Sequence, residues 1–294
     1  MMKKNKSRLA KTRQRRNIVQ GIASLLTNAN LKGFFQGEIF TGNTKVTCVP
    51  GLNCYSCPGA IGSCPIGSLQ AVLGSMNYKF AYYVFGILIF FGVLLGRLVC
   101  GFLCPFGWVQ DLLYKIPVKK MKLPKAVDKG LRYVKYILLL TLVILFPIFL
   151  TDALGIAPPY FCEWVCPAGT LGGAIPLLST NPVLRQSVGF LFGWKMGILL
   201  LIIIASMITY RPFCKYLCPL GAFYGFFNKI GFYKIHINED KCVGCMACER
   251  VCKMGIEVTK NSNSFECIRC GDCKSVCSHG AITSGYFAGK KGEK

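Results

Sequence analysis

Cys242-x2-Cys245-x2-Cys248-x3-Cys252 returns a few residues later as Cys267-x2-Cys270-x2-Cys273-x3-Cys277, and the rest of the chain is read outward from this pair of runs. Three thiolates at this spacing wrap one iron-sulfur cubane, while the fourth is held too far round and ligates the neighbouring one. The spacing therefore assigns Cys242, Cys245, Cys248 and Cys277 to one [4Fe-4S] cluster, and Cys267, Cys270, Cys273 and Cys252 to a second. Zinc would use two well-separated Cys-x2-Cys pairs, and two tight quartets do not divide that way. The proline that commonly follows the fourth cysteine is replaced by Lys253 and Ser278, which spares the ligands and alters the local turn. These runs place a small α+β bacterial-type ferredoxin domain at residues 233–288, followed by a tail at 289–294.

The remainder is of another character. The 294 residues are 53% hydrophobic and only 16% charged, with a mean hydropathy of +0.45, the balance of an α-helical integral membrane protein. A formal charge of +23 on a soluble domain would suggest nucleic acid. Here the lysines and arginines stand in blocks beside apolar runs, as in cytoplasmic membrane loops, and no nucleic-acid partner is required. Four oxidised clusters with their thiolates would reduce the charge to roughly +15. Eighteen cysteines in a chain with cytosolic segments point to metal before disulfides, and the N-terminus carries no removable signal peptide pattern.

Three stretches are long and apolar enough to span a bilayer: 78–98, 132–151 and 188–210. Lys195, just inside the last of them, can snorkel to the interface. The stretch 17–36 is interrupted by Gln20, Asn28, Asn30 and Lys32, and hydropathy alone leaves it a span or an interfacial helix. Charge asymmetry decides. The tail 1–16 and the loop holding Lys115 to Lys129 are strongly basic, whereas 37–77 and 152–187 carry almost no basic residues. The two basic regions share the cytoplasmic side only if 17–36 crosses. The expectation is a multi-pass protein of the cytoplasmic membrane, with a four-helix membrane domain at 17–232 and both termini inside.

The other ten cysteines repeat a local theme: Cys64-Pro-Ile-Gly, Cys100-x3-Cys104-Pro-Phe-Gly, Cys162-x3-Cys166-Pro-Ala-Gly and Cys214-x3-Cys218-Pro-Leu-Gly. Proline at the first helical position places each preceding cysteine where free N–H groups and the helix dipole stabilise a thiolate. Sidedness groups Cys100, Cys104, Cys214 and Cys218 as ligands of one inner membrane cluster. Six cysteines fall outside: Cys48, Cys54, Cys57, Cys64, Cys162 and Cys166. The preferred outer set is Cys57, Cys64, Cys162 and Cys166, since Pro58 and Pro65 follow the first two. Cys54 in place of Cys57 stays open, and Cys48 with Cys54 is a candidate disulfide on an oxidising face.

With its spans, its Cys-x3-Cys-Pro motifs and its C-terminal double-cluster domain, the chain resembles the NapH-type membrane polyferredoxin family from about Tyr78 onward. That family includes quinol dehydrogenase subunits of periplasmic nitrate reduction and accessory proteins of oxidase assembly. The resemblance implies membrane-bound iron-sulfur electron transfer; the Cys48–Cys64 region and the third Cys-x3-Cys-Pro motif depart from simpler members.

What is missing narrows the function. The spans hold no histidine for a haem, and no nucleotide-binding glycine loop is present. Any flavin must come from a partner protein. The leading expectation is an electron carrier between cytoplasmic ferredoxin clusters and a partner at or beyond the outer face. Its partners would be a cytoplasmic donor or acceptor and an outer redox protein, with quinone an open co-substrate. If it is an enzyme, it is a quinol dehydrogenase-type oxidoreductase subunit. The alternative is a maturation factor that supplies electrons for metal-centre assembly, with Cys48 and Cys54 as a soft-metal site. Asp111, Asp152 and Glu163 are the carboxylates nearest span ends, read first as solvated interfacial charges, and Arg97 and Lys79 as topology anchors.

Overall fold

The computed structural model describes residues 2–75, 81–121, 123–152 and 156–286. The expected start of the second span at Tyr78, Lys79 and the tail 289–294 lie outside them.

Two helices are long and apolar enough to cross a membrane, Lys125–Phe149 and Phe190–Ile208, and a third apolar helix, Tyr82–Leu95, is shorter. The second span thus stops at Leu95, because Gly96 turns the chain with φ 51°. The third runs farther toward its basic end than the expected 132–151. Within it, Leu139–Leu145 is a π-helix, and a second π turn occupies Thr170–Ala174. Each ends two residues before a proline, Pro147 and Pro176. A ring that cannot donate to the α ladder and clashes with the carbonyl four residues back leaves the preceding turn widened.

The stretch 17–36 is not one helix. The N-terminal helix is Met2–Thr27, the chain breaks at Asn28, and a short helix, Leu31–Gln36, follows. Asn28 Nδ2 donates back to the Ser24 carbonyl, 2.9 Å, which competes with helix continuation. At about 39 Å the first helix exceeds the apolar thickness of a bilayer. Its basic half meets the ferredoxin domain through Arg13–Asp272 at 3.0 Å. Its last carbonyl, that of Thr27, accepts from Ile61 N–H and Asn53 Nδ2 at the opposite end of the molecule. Between these ends Ile18, Ile22, Leu25 and Leu26 are exposed.

The C-terminal domain closes on a two-stranded antiparallel sheet, β1 Tyr233–Ile237 and β2 Ile282–Tyr286, with Tyr233 opposite Tyr286 and Ile237 opposite Ile282. Ile235, Val258 and Ile282 form its small core, against which Cys248, Cys252, Cys267, Cys273 and Cys277 pack. Docking to the apolar helices combines close backbone approach with side-chain hydrogen bonds to main-chain carbonyls. A Cβ on Gly101 would stand 2.5 Å from the Ile268 carbonyl, so no larger residue fits there. Asn228 Nδ2 donates to the Ser264 and Cys267 carbonyls, and Arg269 donates to those of Leu95 and Asn228.

A buried ion triad locks this seam. Arg97 and Lys135, both fully buried, meet Glu266 at 2.9 and 2.5 Å. Arg97 is therefore a docking residue and not a surface anchor. Asp111 is likewise no solvated charge: it is buried and bridged to Arg211 at 2.6 Å and Arg16 at 3.4 Å. Burial alone would push the Glu266 carboxyl up, but Arg97 and Lys135 outweigh it and hold it below the usual range. A depressed carboxyl contributes stability above its unfolded value of about 4.3 and loses it as pH falls through the lower folded value. Glu266→Ala leaves two buried cations unpaired and should cost about 3 to 5 kcal/mol. Hydrogen exchange at 95–101 and 264–269 should rise in that variant, and unchanged protection would show that the triad does not hold the seam.

Candidate metal centres

Each Cys-Pro motif starts a helix as its proline dictates. Cys64, Cys104, Cys166 and Cys218 are all N-caps in extended conformation with proline at the first position, opening Pro65–Leu73, Pro105–Leu113, Pro167–Gly169 and Pro219–Ile230. At Cys104 and Cys218 the thiol sulfur accepts the N–H of the third helical residue, Gly107 or Gly221, at 3.4 Å. These are the orphan donors that every helix start carries.

Cys100, Cys104, Cys214 and Cys218 come together as one buried group, each within electrostatic reach of another. Two buried guanidinium groups frame it: Arg211 donates to the Cys100 carbonyl at 2.6 Å and Arg97 to that of Cys214 at 3.1 Å. On the far side the companion of Cys64, Cys162 and Cys166 is Cys54, whose thiol lies in reach of all three. A Cβ on Gly169 would touch Cys54 Sγ at 3.5 Å, and one on Gly67 would touch Cys162 Sγ at 3.7 Å. Cys57 is turned away, its thiol donating to Asn28 Oδ1 at 3.5 Å, so the proline after it marks a turn and not a helix start. Cys48 is buried and packs beside Ser68. Neither Cys48 nor Cys54 is in a disulfide.

Within the ferredoxin domain, Cys242, Cys245, Cys248 and Cys277 line a first cavity, and Cys252, Cys267, Cys270 and Cys273 line another. Left-handed residues flank the second cysteine of each run, Gly244 and Met246 in the first, Arg269 and Gly271 in the second. Such alternation turns successive N–H groups inward as an anion-binding nest. Arg269 accepts the strain because its guanidinium is fixed by the seam. Lys253, in the usual proline position, inserts between the rings of Tyr114 and Tyr210. Burial and neighbouring Arg13 push its amine down to about 8.

The two membrane groups are close neighbours. The segment after Cys48 runs inward until a Cβ on Gly51 would stand 3.0 Å from Cys104 Cα. The Leu52 peptide then lies beside Cys104, and that of Asn53 beside Cys64. Tyr224, fully buried, lies in reach of Cys48, Cys64, Cys100 and Cys104 and donates to the Pro50 carbonyl at 3.1 Å. A cavity of about 980 Å³ opens at the outer group, lined by its four cysteines with Lys45, Glu163 and Lys195.

Sequence comparison agrees with this donor chemistry. A family model described as a 4Fe-4S binding domain matches residues 78–124, 137–179 and 192–238, and a second of the same description matches 234–256. An uncharacterized protein of Methanocaldococcus jannaschii is 34% identical over 66% of this chain and 73% of its own length. The ferredoxin-type protein NapH of Haemophilus influenzae is 29% identical over 56% of this chain and 50% of its own. The methylamine utilization ferredoxin-type protein MauN of Paracoccus denitrificans is 28% identical over 53% and 48%. The chain belongs to the NapH-type polyferredoxin family. It is an iron-sulfur electron-transfer protein that binds [4Fe-4S] clusters. The chain spans about half the length of its NapH and MauN relatives, and no solved structure matches it.

Sequence reasoning missed Gln70 and Gln110. Each is the sixth residue after the cysteine of a Cys-Pro turn, and each hydrogen-bonds a cysteine of the facing motif. That common offset was the available signal.

The grouping yields a sharp expectation for iron content. Cys54→Ala should lose about four of roughly sixteen irons, whereas Cys57→Ala should keep them all. The opposite result would restore Cys57 to the outer set.

Proposed function

We propose that this polyferredoxin carries electrons through a membrane, between a partner on the cytoplasmic side and a redox partner at the outer face. Four cysteine quartets would hold [4Fe-4S] clusters: Cys242, Cys245, Cys248 and Cys277; Cys252, Cys267, Cys270 and Cys273; Cys100, Cys104, Cys214 and Cys218; and Cys54, Cys64, Cys162 and Cys166. The bound clusters supply one-electron redox chemistry. The protein contributes spacing, burial and access. Cys242 and Cys245 are exposed, which suits an entry port. Ile268, buried between Cys267 and Cys270, has its carbonyl against Gly101 beside Cys100, joining the second quartet to the third.

The observation that carries the reading is the Pro50–Asn53 segment. A Cβ on Gly51 would stand 3.0 Å from Cys104 Cα, and the adjacent Leu52 and Asn53 peptides lie beside Cys104 of one quartet and Cys64 of the next, which supports quartets nearer together than opposite interfaces about 30 Å apart. This favours direct exchange across the membrane without a mobile carrier. A second reading rests on the large apolar cavity at the outer quartet, which has room for a quinone beside the cluster as co-substrate.

The topology belongs to the same proposal: four crossings, including the N-terminal helix, with both termini cytoplasmic. Reporter fusions at Lys125 and Lys294 should read inside and one at Arg185 outside.

Liposomes lacking quinone separate the two readings of the path. Chemical reduction from the ferredoxin side should reduce the outer cluster. An outer cluster that stays oxidised until a quinone is added would overturn direct exchange.

A further inference from the structure

Gln70 and Gln110 make the same three hydrogen bonds in two places that share no chain segment. Gln70 lies on the helix opened by Cys64 and Gln110 on the helix opened by Cys104. Both are buried, at 0% and 1% exposure. The carbonyl oxygen of Gln70 accepts the backbone N–H of Phe161 at 2.9 Å, and that of Gln110 accepts the backbone N–H of Phe213 at 3.2 Å. Each amide nitrogen gives one bond to the carbonyl four residues back on its own helix, Ile66 at 3.2 Å or Phe106 at 3.4 Å. It gives the other to the cysteine after that phenylalanine, Cys162 Sγ at 3.4 Å or Cys214 Sγ at 3.0 Å.

The amide orientation is fixed by this pattern. A flipped carboxamide would set its NH2 against a peptide N–H and its oxygen against both a carbonyl and a thiolate. The donor therefore faces sulfur in both quartets. A packing role alone would be met by any side chain of that volume, and a buried amide is costly unless every one of its groups is used. Here every group is used, in the same way twice. Hydrogen bonds to the ligating sulfurs are one of the ways a protein sets a cluster potential, because they favour the more negative, reduced state.

We propose that Gln110 and Gln70 are positioning residues that set the reduction potentials of the two membrane clusters, each by donating its amide N–H to one ligand sulfur, Cys214 and Cys162 respectively. The pairing is specific: Gln110 acts on the inner quartet and Gln70 on the outer. Each also ties one half of its quartet to the other, since the glutamine and the cysteine it serves come from different helices. The proposal rests on the four-cluster reading above.

Gln110→Met tests it in the full-length protein. Methionine keeps the length and approximate volume, adds no charge and removes the donor to sulfur. Redox titration followed by EPR should show the inner cluster reduced about tenfold less at a given potential, a midpoint about 59 mV lower, with the outer cluster unmoved. Gln70→Met should give the converse. Unchanged midpoints in both variants at full iron content would overturn the proposal, as would a Gln70→Met effect on the inner cluster. Should a variant fail to load, the wild-type protein decides. With the glutamine side-chain amides isotopically labelled at nitrogen, hyperfine spectroscopy of each reduced membrane cluster should detect a coupled amide nitrogen, and its absence would overturn the donor role. Wild-type protein without the two membrane signals would fail the four-cluster reading itself, and the glutamine proposal with it.

Discussion

A thiolate placed in an apolar interior must be met by donors, and the apolar helical part of this chain is arranged around that constraint. The Cys-Pro turn answers it locally, since proline at the first helical position leaves the cysteine as N-cap, in front of N–H groups that have no intrahelical partner. Four such turns open short helices that do not cross a bilayer, and the longer apolar helices surround them. The fixed positive ends of the short helices thus point at the cysteine groups from inside the fold. Arg97 and Arg211 add full charges beside the inner quartet, each held by a carboxylate so that it is neither free nor solvated.

Carboxylates also couple the parts of the molecule to one another. Glu266 belongs to the ferredoxin loop next to Cys267, and Asp272 lies between Cys270 and Cys273. Arg97 and Lys135 reach the first, while Arg13 and Arg16 of the N-terminal helix reach the second. The basic N-terminus that reads in sequence as a topology signal is in the fold a clamp on the second ferredoxin quartet. A single set of residues can serve both roles because the cations clustered at this end of the helix are also the ones available to a docked, acid-bearing loop.

That Cys242, Cys245, Cys248 and Cys277 would line one cavity and Cys252, Cys267, Cys270 and Cys273 another could be read because their spacing is local. The convergence of Cys100, Cys104, Cys214 and Cys218 could be read because the Cys-x3-Cys-Pro motif repeats. The outer quartet was half legible. Cys57-Pro58 mimics the helix-opening motif, but its thiol turns to Asn28 while Cys54 enters the group, a choice made by tertiary contacts with the 28–30 break that no local pattern encodes. The charge of Arg97 and Asp111 could be read, but not their burial, since burial depends on partners at Glu266, Arg211 and Arg16 far along the chain. The π turns near Pro147 and Pro176 were not read from the sequence at all, although those prolines were the available signal.

The central claim is that the two membrane cysteine quartets lie close enough for direct exchange, joined through Leu52 and Asn53. Magnetic coupling between their clusters in the fully reduced protein measures this most directly. Pulsed EPR should show the inner and outer cluster signals split and relaxing faster than either does when the other has been removed by Cys214→Ala or Cys54→Ala. Signals that superimpose on those of the single-cluster variants would place the two clusters far apart and contradict the account.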